Sequence, residues 1–156
     1  MRSPAQTGRA VRTLTGSAAR AWLKEAAERP AIPDLLRDIK NTSSDLPSVA
    51  IEPQKLLQTW LSSEERFAIA GYPDLDHPLG ICVFSQSQSI VEYIGLKQEH
   101  RRSGIGARLL AAVLMNGDSK AEASCFVDAN NVPSRNFFAS RGFELQETSP
   151  LWIYSA

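Results

Sequence analysis

Ile90-Val91-Glu92-Tyr93-Ile94-Gly95-Leu96, and four residues on Arg101-Arg102-Ser103-Gly104-Ile105-Gly106-Ala107, set an apolar β-type run directly before a glycine-punctuated helix start. From Gly104 to Met115 the apolar residues Ile105, Leu109, Leu110, Val113, Leu114 and Met115 are broken by one charge, Arg108. That spacing predicts a helix covered nearly all round, stopping at Asn116-Gly117. Ala123–Val127 is strand-like again, so residues 90–127 predict a parallel strand–helix–strand unit with a right-handed crossover. Working upstream, Phe67–Ala70 and Leu79–Phe84 read as meander strands on either side of the turn-rich GYPDLDHP, with SQSQS leading into Ile90. Earlier still, Val11–Leu14 predicts a short strand, Thr15 or Ser17 can cap a helix to about Glu28, and Pro33 suits the first turn of a second helix through Lys40. Asn41–Ser48 is loop-like, Pro53–Leu61 predicts a third helix, and residues 1–10 are small, polar and expected to be loose. Downstream, Val132–Ser140 predicts a helix and Gly142–Gln146 and Leu151–Tyr154 two closing strands.

The chain has 156 residues, a length suited to one domain, and its 43% apolar and 22% charged content is that of a globular protein with a core. Lys plus Arg and Asp plus Glu each number 17, so the global positive charge that draws proteins onto nucleic acid is missing and no nucleic acid is expected. Residues 1–40 carry eight basic and four acidic side chains. This is either a basic arm or, better, the solvated outer face of helices. Cys82 and Cys125 each lie in an apolar run, which suits buried reduced thiols in a cytoplasmic protein better than a secreted disulfide framework. The basic N-terminus lacks a following apolar run and no segment approaches the ~18 apolar residues of a membrane span, so a soluble, untargeted chain is expected.

Three features bear on chemistry. At Arg101–Ala107, two glycines and two arginines stand where a helix begins, and the unpaired first-turn N–H groups there converge on one point. A diphosphate site is favoured over a bare tight turn. Gly95, inside an apolar strand, marks either a bulge without a ligand or a splayed edge on which a ligand's amides pair. Asn130 to Phe143 reads as a polar cap, a helix bearing Phe137-Phe138, and a Gly142-Phe143 stop, with one phenylalanine mainly core.

At these residues the chain resembles the GNAT superfamily of acyl-CoA-dependent N-acyltransferases. The family's central motif, Arg or Gln, two residues, Gly, one residue, Gly or Ala, is matched by Arg101, Gly104 and Gly106. Its later pattern of Asn, Ala or Ser three on, Tyr seven on and Gly-Phe eleven and twelve on is matched by Asn131, Ser134, Gly142 and Phe143, with Phe138 at the Tyr position. The resemblance covers about Gly80–Phe143. It implies a mixed α/β fold: a mostly antiparallel twisted sheet of about six to seven strands with a splayed parallel pair, and helices on both faces. It further implies one domain over 1–156, with an acetyl-CoA-binding half at 80–143 and a variable acceptor-side half at 11–75. Backbone groups of Ile94, Gly95 and Leu96 would pair with the pantetheine arm, and the amides of Arg102, Ser103, Gly104, Ile105, Gly106 and Ala107, beside Arg101, would cradle the diphosphate. Asn131 would touch pantetheine, and Ser134 and Phe138 would line the thioester channel.

Direct acyl transfer needs a neutral amine, a donor for the developing oxyanion and a proton for the leaving thiolate. The resemblance gives the oxyanion role to the Leu96 N–H. Glu92, the carboxylate within the apolar strand, is either a desolvated base of raised pKa or a residue facing solvent or a loop arginine. For the acid, Phe138 has no proton to give, nor has Phe126, where members acting on protein N-termini place a Glu. Tyr93, Tyr154 or water serves instead, or the thiolate leaves unassisted; Tyr154 and Trp152 are otherwise core or pocket walls. His77 and His100 lack metal-ligand spacing, so no metal is expected. The expected activity is acetyl transfer from acetyl-CoA to a primary amine of unknown identity. The alternative is a non-catalytic acyl-CoA-binding sensor or scaffold. A monomer or a homodimer, the latter joined through an exposed final strand, is equally compatible.

Overall fold

The strand and helix signals resolve into β1 (Arg12–Thr15), α1 (Gly16–Ala26), α2 (Ala31–Asn41), α3 (Pro53–Ser62), β2 (Phe67–Tyr72), β3 (Gly80–Ser85) and β4 (Ile90–Leu96). A 3-10 turn (Gln98–His100), α4 (Ile105–Asn116), β5 (Glu122–Phe126), α5 (Val132–Ser140), β6 (Phe143–Leu145) and β7 (Leu151–Ser155) follow. This is a computed structural model that describes residues 11–41, 52–62, 67–116, 122–127, 132–145 and 151–155. The strands form one sheet in the order β1-β2-β3-β4-β5-β7-β6, antiparallel throughout except for β4 beside β5. The mixed α/β class and the parallel pair expected from the sequence are present.

Each face of the sheet has its own core. Ile32, Leu35, Leu36 and Ile39 recur at helical spacing on α2 and join Leu23 of α1, Leu57 and Trp60 of α3, and Phe67, Ile69, Ile81 and Val83 of the sheet. On the other face α4 sends Ile105, Leu109, Leu110 and Val113 onto Ala68, Ala70, Cys82, Phe84 and Cys125, with Phe138 and Phe143 closing the cluster. The small Ala68 and Ala70 alternate with Phe67 and Ile69, so β2 presents low relief to α4 and bulk to α1–α3.

Three local expectations change. The helix at 105–116 is not covered all round: Met115 is 83% exposed and Arg108 and Ala111 face water, because α4 has the sheet on one side only. Thr15 occupies the N-cap of α1 without a side-chain capping bond. The final strand β7 lies between β5 and β6, so its edges are already paired and it cannot be the free edge of a dimer.

Candidate active site

The parallel pair is held at its first step. Ile90 stands opposite Ser124, and the Ser124 N–H reaches the Ser89 carbonyl at 2.8 Å. Among the described residues no further β4–β5 register follows, although β4 stays paired with β3 as far as Leu96 and β5 with β7 as far as Phe126. A wedge therefore opens between β4 and β5 toward their C-terminal ends.

The direction of the backbone groups on its β4 wall follows from one bond. Lys97 N–H donates to Leu79 O at 2.9 Å, on the β3 side. Along a strand successive residues turn their N–H and C=O to opposite sides. Leu96 and Ile94 thus aim their main-chain groups into the wedge, while Gly95 spends its own on Ile81 of β3. Of the three residues expected to meet a pantetheine arm, Ile94 and Leu96 turn their main-chain groups into the wedge and Gly95 does not. The missing Cβ of Gly95 serves packing: a methyl there would lie 2.8 Å from Ile39 Cδ1 and 3.2 Å from the Tyr93 ring. The bulge is elsewhere, at Glu92. Val83 opposes Tyr93 and Phe84 opposes Val91, so Glu92 has no counterpart on β3. The extra residue lets Val91 share the α4 face with Ile94 and Leu96, and it leaves Glu92 exposed. Of the two readings open for Glu92, the solvent-facing one is found.

At the mouth of the wedge the chain folds back tightly. His100 N–H donates to Lys97 O, Ser103 Oγ to His100 O at 2.6 Å, and Arg101 Nε to Leu96 O at 3.0 Å. Arg102 and Gly104 take left-handed φ values of 62° and 84°. The first α4 amide given an intrahelical acceptor is that of Arg108, on Gly104 O at 3.2 Å, so the N–H groups of Ile105, Gly106 and Ala107 stand ahead of it at the positive end of the helix. Such a terminus, on a twelve-residue helix packed by one side against the sheet, has the donor chemistry for a diphosphate. The Ser103 hydroxyl hydrogen is committed within the loop, leaving this residue its backbone N–H for a ligand.

The C-terminal segment supplies a wall. A methyl on Gly106 would touch Phe137 at 3.4 Å and Leu96 at 3.5 Å, so the half-buried Phe137 ring stands beside both the α4 terminus and the end of β4. Phe138, expected to line the channel, is 4% exposed and packs edge-on against Phe137 and Phe143. Ser134 is half-buried on α5. Asn131 lies outside the described residues. Tyr154 has its backbone in β7 opposite Ala123 and Phe143, while its side chain and those of Phe126 and Trp152 also lie outside them. Tyr93 turns to the α1–α3 side, edge-on to Trp60 at 5.5 Å. Burial raises its phenol pKa well above the ordinary range, against a smaller opposing effect of Arg101. Burial likewise raises Cys82, and pushes Cys125 up to about 12, so neither thiol is a nucleophile at neutral pH.

Sequence reasoning missed Phe137 as a wall, the Arg101 side chain on Leu96, and the bulge. The first had its signal in the aromatic pair, one ring of which had to face outward from the core. The other two are cross-strand facts.

The acetyltransferase (GNAT) family model matches residues 31–143. The chain belongs to the GNAT acetyltransferase family. Solved structures similar to this GNAT chain include an acetyltransferase from Thermus thermophilus, 14% identical, covering 94% of this chain and 97% of that one with a TM-score of 0.67. A GNAT-family acetyltransferase from Staphylococcus aureus is 11% identical, covering 94% and 99% with a TM-score of 0.59. A protein of the GNAT family from Desulfovibrio desulfuricans is 18% identical, covering 94% and 98% with a TM-score of 0.57. At these identities the likeness is one of fold. A search of curated proteins found no match. No helix among the described residues of this GNAT chain is long and apolar enough to cross a membrane.

Proposed function

We propose that the chain is an N-acetyltransferase that moves an acetyl group from acetyl-CoA directly to a primary amine of a small molecule or peptide. The observation that carries this is the wedge beyond the Ile90–Ser124 step, with the Ile94 and Leu96 N–H groups directed into it and the α4 N-terminus at its mouth. These residues fit the cosubstrate: an extended amide-bearing arm matches a strand edge that lacks its neighbour, and a diphosphate matches free helix amides. Acetyl-CoA, when bound, supplies an activated thioester. The amides from Arg102 to Ala107 would hold its diphosphate, Asn131 and Ser134 would border the arm, and the Leu96 N–H would stabilise charge developing on the acyl oxygen. Residues 80–143 hold the cosubstrate in this reading, and residues 11–75 frame the acceptor.

Proton handling is spare. Glu92, exposed at the bulge, reaches an amine through water or not at all. Tyr93, turned to the α1–α3 side with its phenol pKa raised by burial, is a poor acid, which leaves Tyr154 or water as the proton source. The buried free thiols fit a cytoplasmic setting. Purified protein is incubated with acetyl-CoA and a panel of primary amines while free thiol is followed. Thiol release that depends on one amine class is expected, and binding of acetyl-CoA with no amine-dependent release would overturn catalysis. That outcome is the signature of the second reading, a non-catalytic acyl-CoA-binding module, which the inert and buried Phe138 at the usual acid position favours.

A further inference from the structure

We infer that Arg101 is a positioning residue: its Nε–H clamps the Leu96 carbonyl and so holds the Leu96 N–H toward the wedge, a role distinct from that of a phosphate ligand. The inference takes its catalytic consequence from the proposed acetyl transfer.

The peptide between Leu96 and Lys97 is gripped from both sides. Its N–H meets the O of Leu79, just before β3, at 2.9 Å, and its C=O meets Arg101 Nε at 3.0 Å on the wedge side. The preceding peptide has Gly95 C=O toward β3, so its N–H, that of Leu96, must point into the wedge. With both planes fixed, the last stretch of backbone before the loop cannot swing. There is also an electrostatic reason for the clamp. The Leu96 carbonyl points the same way as the Leu96 N–H, and left bare it would set a negative dipole end beside the site where negative charge develops. A charge-assisted bond from a guanidinium covers it. Arg102, exposed at the crest of the loop, is the arginine facing outward.

Side-chain topology gives a crossover test. Glutamine carries its amide nitrogen at the same bond position as Arg Nε, without charge; lysine keeps the charge but has no donor there. Turnover with acetyl-CoA, calorimetric CoA binding and amide hydrogen exchange at Leu96 and Lys97 are measured for the wild type and for Arg101→Ala, Arg101→Gln and Arg101→Lys. In Arg101→Ala, kcat should fall about ten- to a hundredfold, the size of one lost charge-assisted bond, with KM for acetyl-CoA changed about threefold or less. Arg101→Gln should recover most of that loss and Arg101→Lys little of it, and Lys97 exchange should quicken in Arg101→Ala and Arg101→Lys but not in Arg101→Gln. The reverse order, with Arg101→Lys active and Arg101→Gln losing CoA affinity, would overturn the clamp in favour of a phosphate ligand. Wild-type rates and exchange in Arg101→Ala would overturn it as well. If the wild type neither binds nor turns over acetyl-CoA, the proposed activity falls, and Lys97 exchange alone decides whether the clamp exists.

Discussion

At Gly104 nothing lies within 4 Å of where a Cβ would stand, yet φ is 84°, so a side chain there meets backbone strain and no clash. Gly104→Ala is expected to lower stability by about 1–2 kcal/mol, read by urea denaturation, and to weaken CoA binding if the loop relaxes. Gly95 is the opposite case, with ordinary backbone and no room. Gly95→Ala should cost about 1–3 kcal/mol through overpacking against Ile39. Ile39→Val removes the Cδ1 atom that stands in the way, so the double variant should be more stable than the two single losses predict; strict additivity would show that the two do not meet. Residue identity alone was a good guide to the loop, where glycine and arginine flank a helix start. It left Glu92 open between burial and solvent, and at Gly95 it offered a bulge or a ligand edge where close packing against Ile39 is found. A glycine records that space is needed and not what fills it, and an acidic residue in an apolar strand can be buried with purpose or ejected by a bulge.

Among the elements, those with local causes were legible. The Ile32, Leu35, Leu36 and Ile39 stripe, the apolar run Ile81–Phe84 of β3 and the stop at Gly142 each follow from neighbours in the chain. The wedge and the bulge depend on where pairing between distant strands ceases, and no single segment encodes that. For α4 the composition suggested burial all round, whereas the fold gives it one sheet face. Leu109→Ala, at 0% exposure, should therefore cost about 2–4 kcal/mol, and Met115→Lys, at 83%, no more than about 0.5 kcal/mol. Comparable losses in thermal denaturation at the two positions would show that the outer side of α4 is covered in solution.

For the whole molecule, Cys82 and Cys125 tie stability to alkaline pH. Folding raises both thiols above the ordinary 9.0, Cys125 to about 12, so the unfolded chain loses these protons first. Their contribution is fully present below pH 9 and drains away above it, each group at up to about 1.4 kcal/mol per pH unit, with the Tyr93 phenol adding to the loss at still higher pH. Chemical denaturation at pH 7, 9 and 10.5 checks this; a flat profile to pH 10.5 would mean the thiols reach solvent in the native state. The sheet itself consists of two leaves, β1–β4 and β5–β7–β6, stitched at the Ile90–Ser124 step. A guest that bridges the gap supplies the absent rungs, and at a hundred times its dissociation constant it should add about 2.7 kcal/mol to the folded state. The seam that makes the protein receptive is thus also its mechanical weak line, and slower hydrogen exchange on both leaves at once would mark the moment they are laced together.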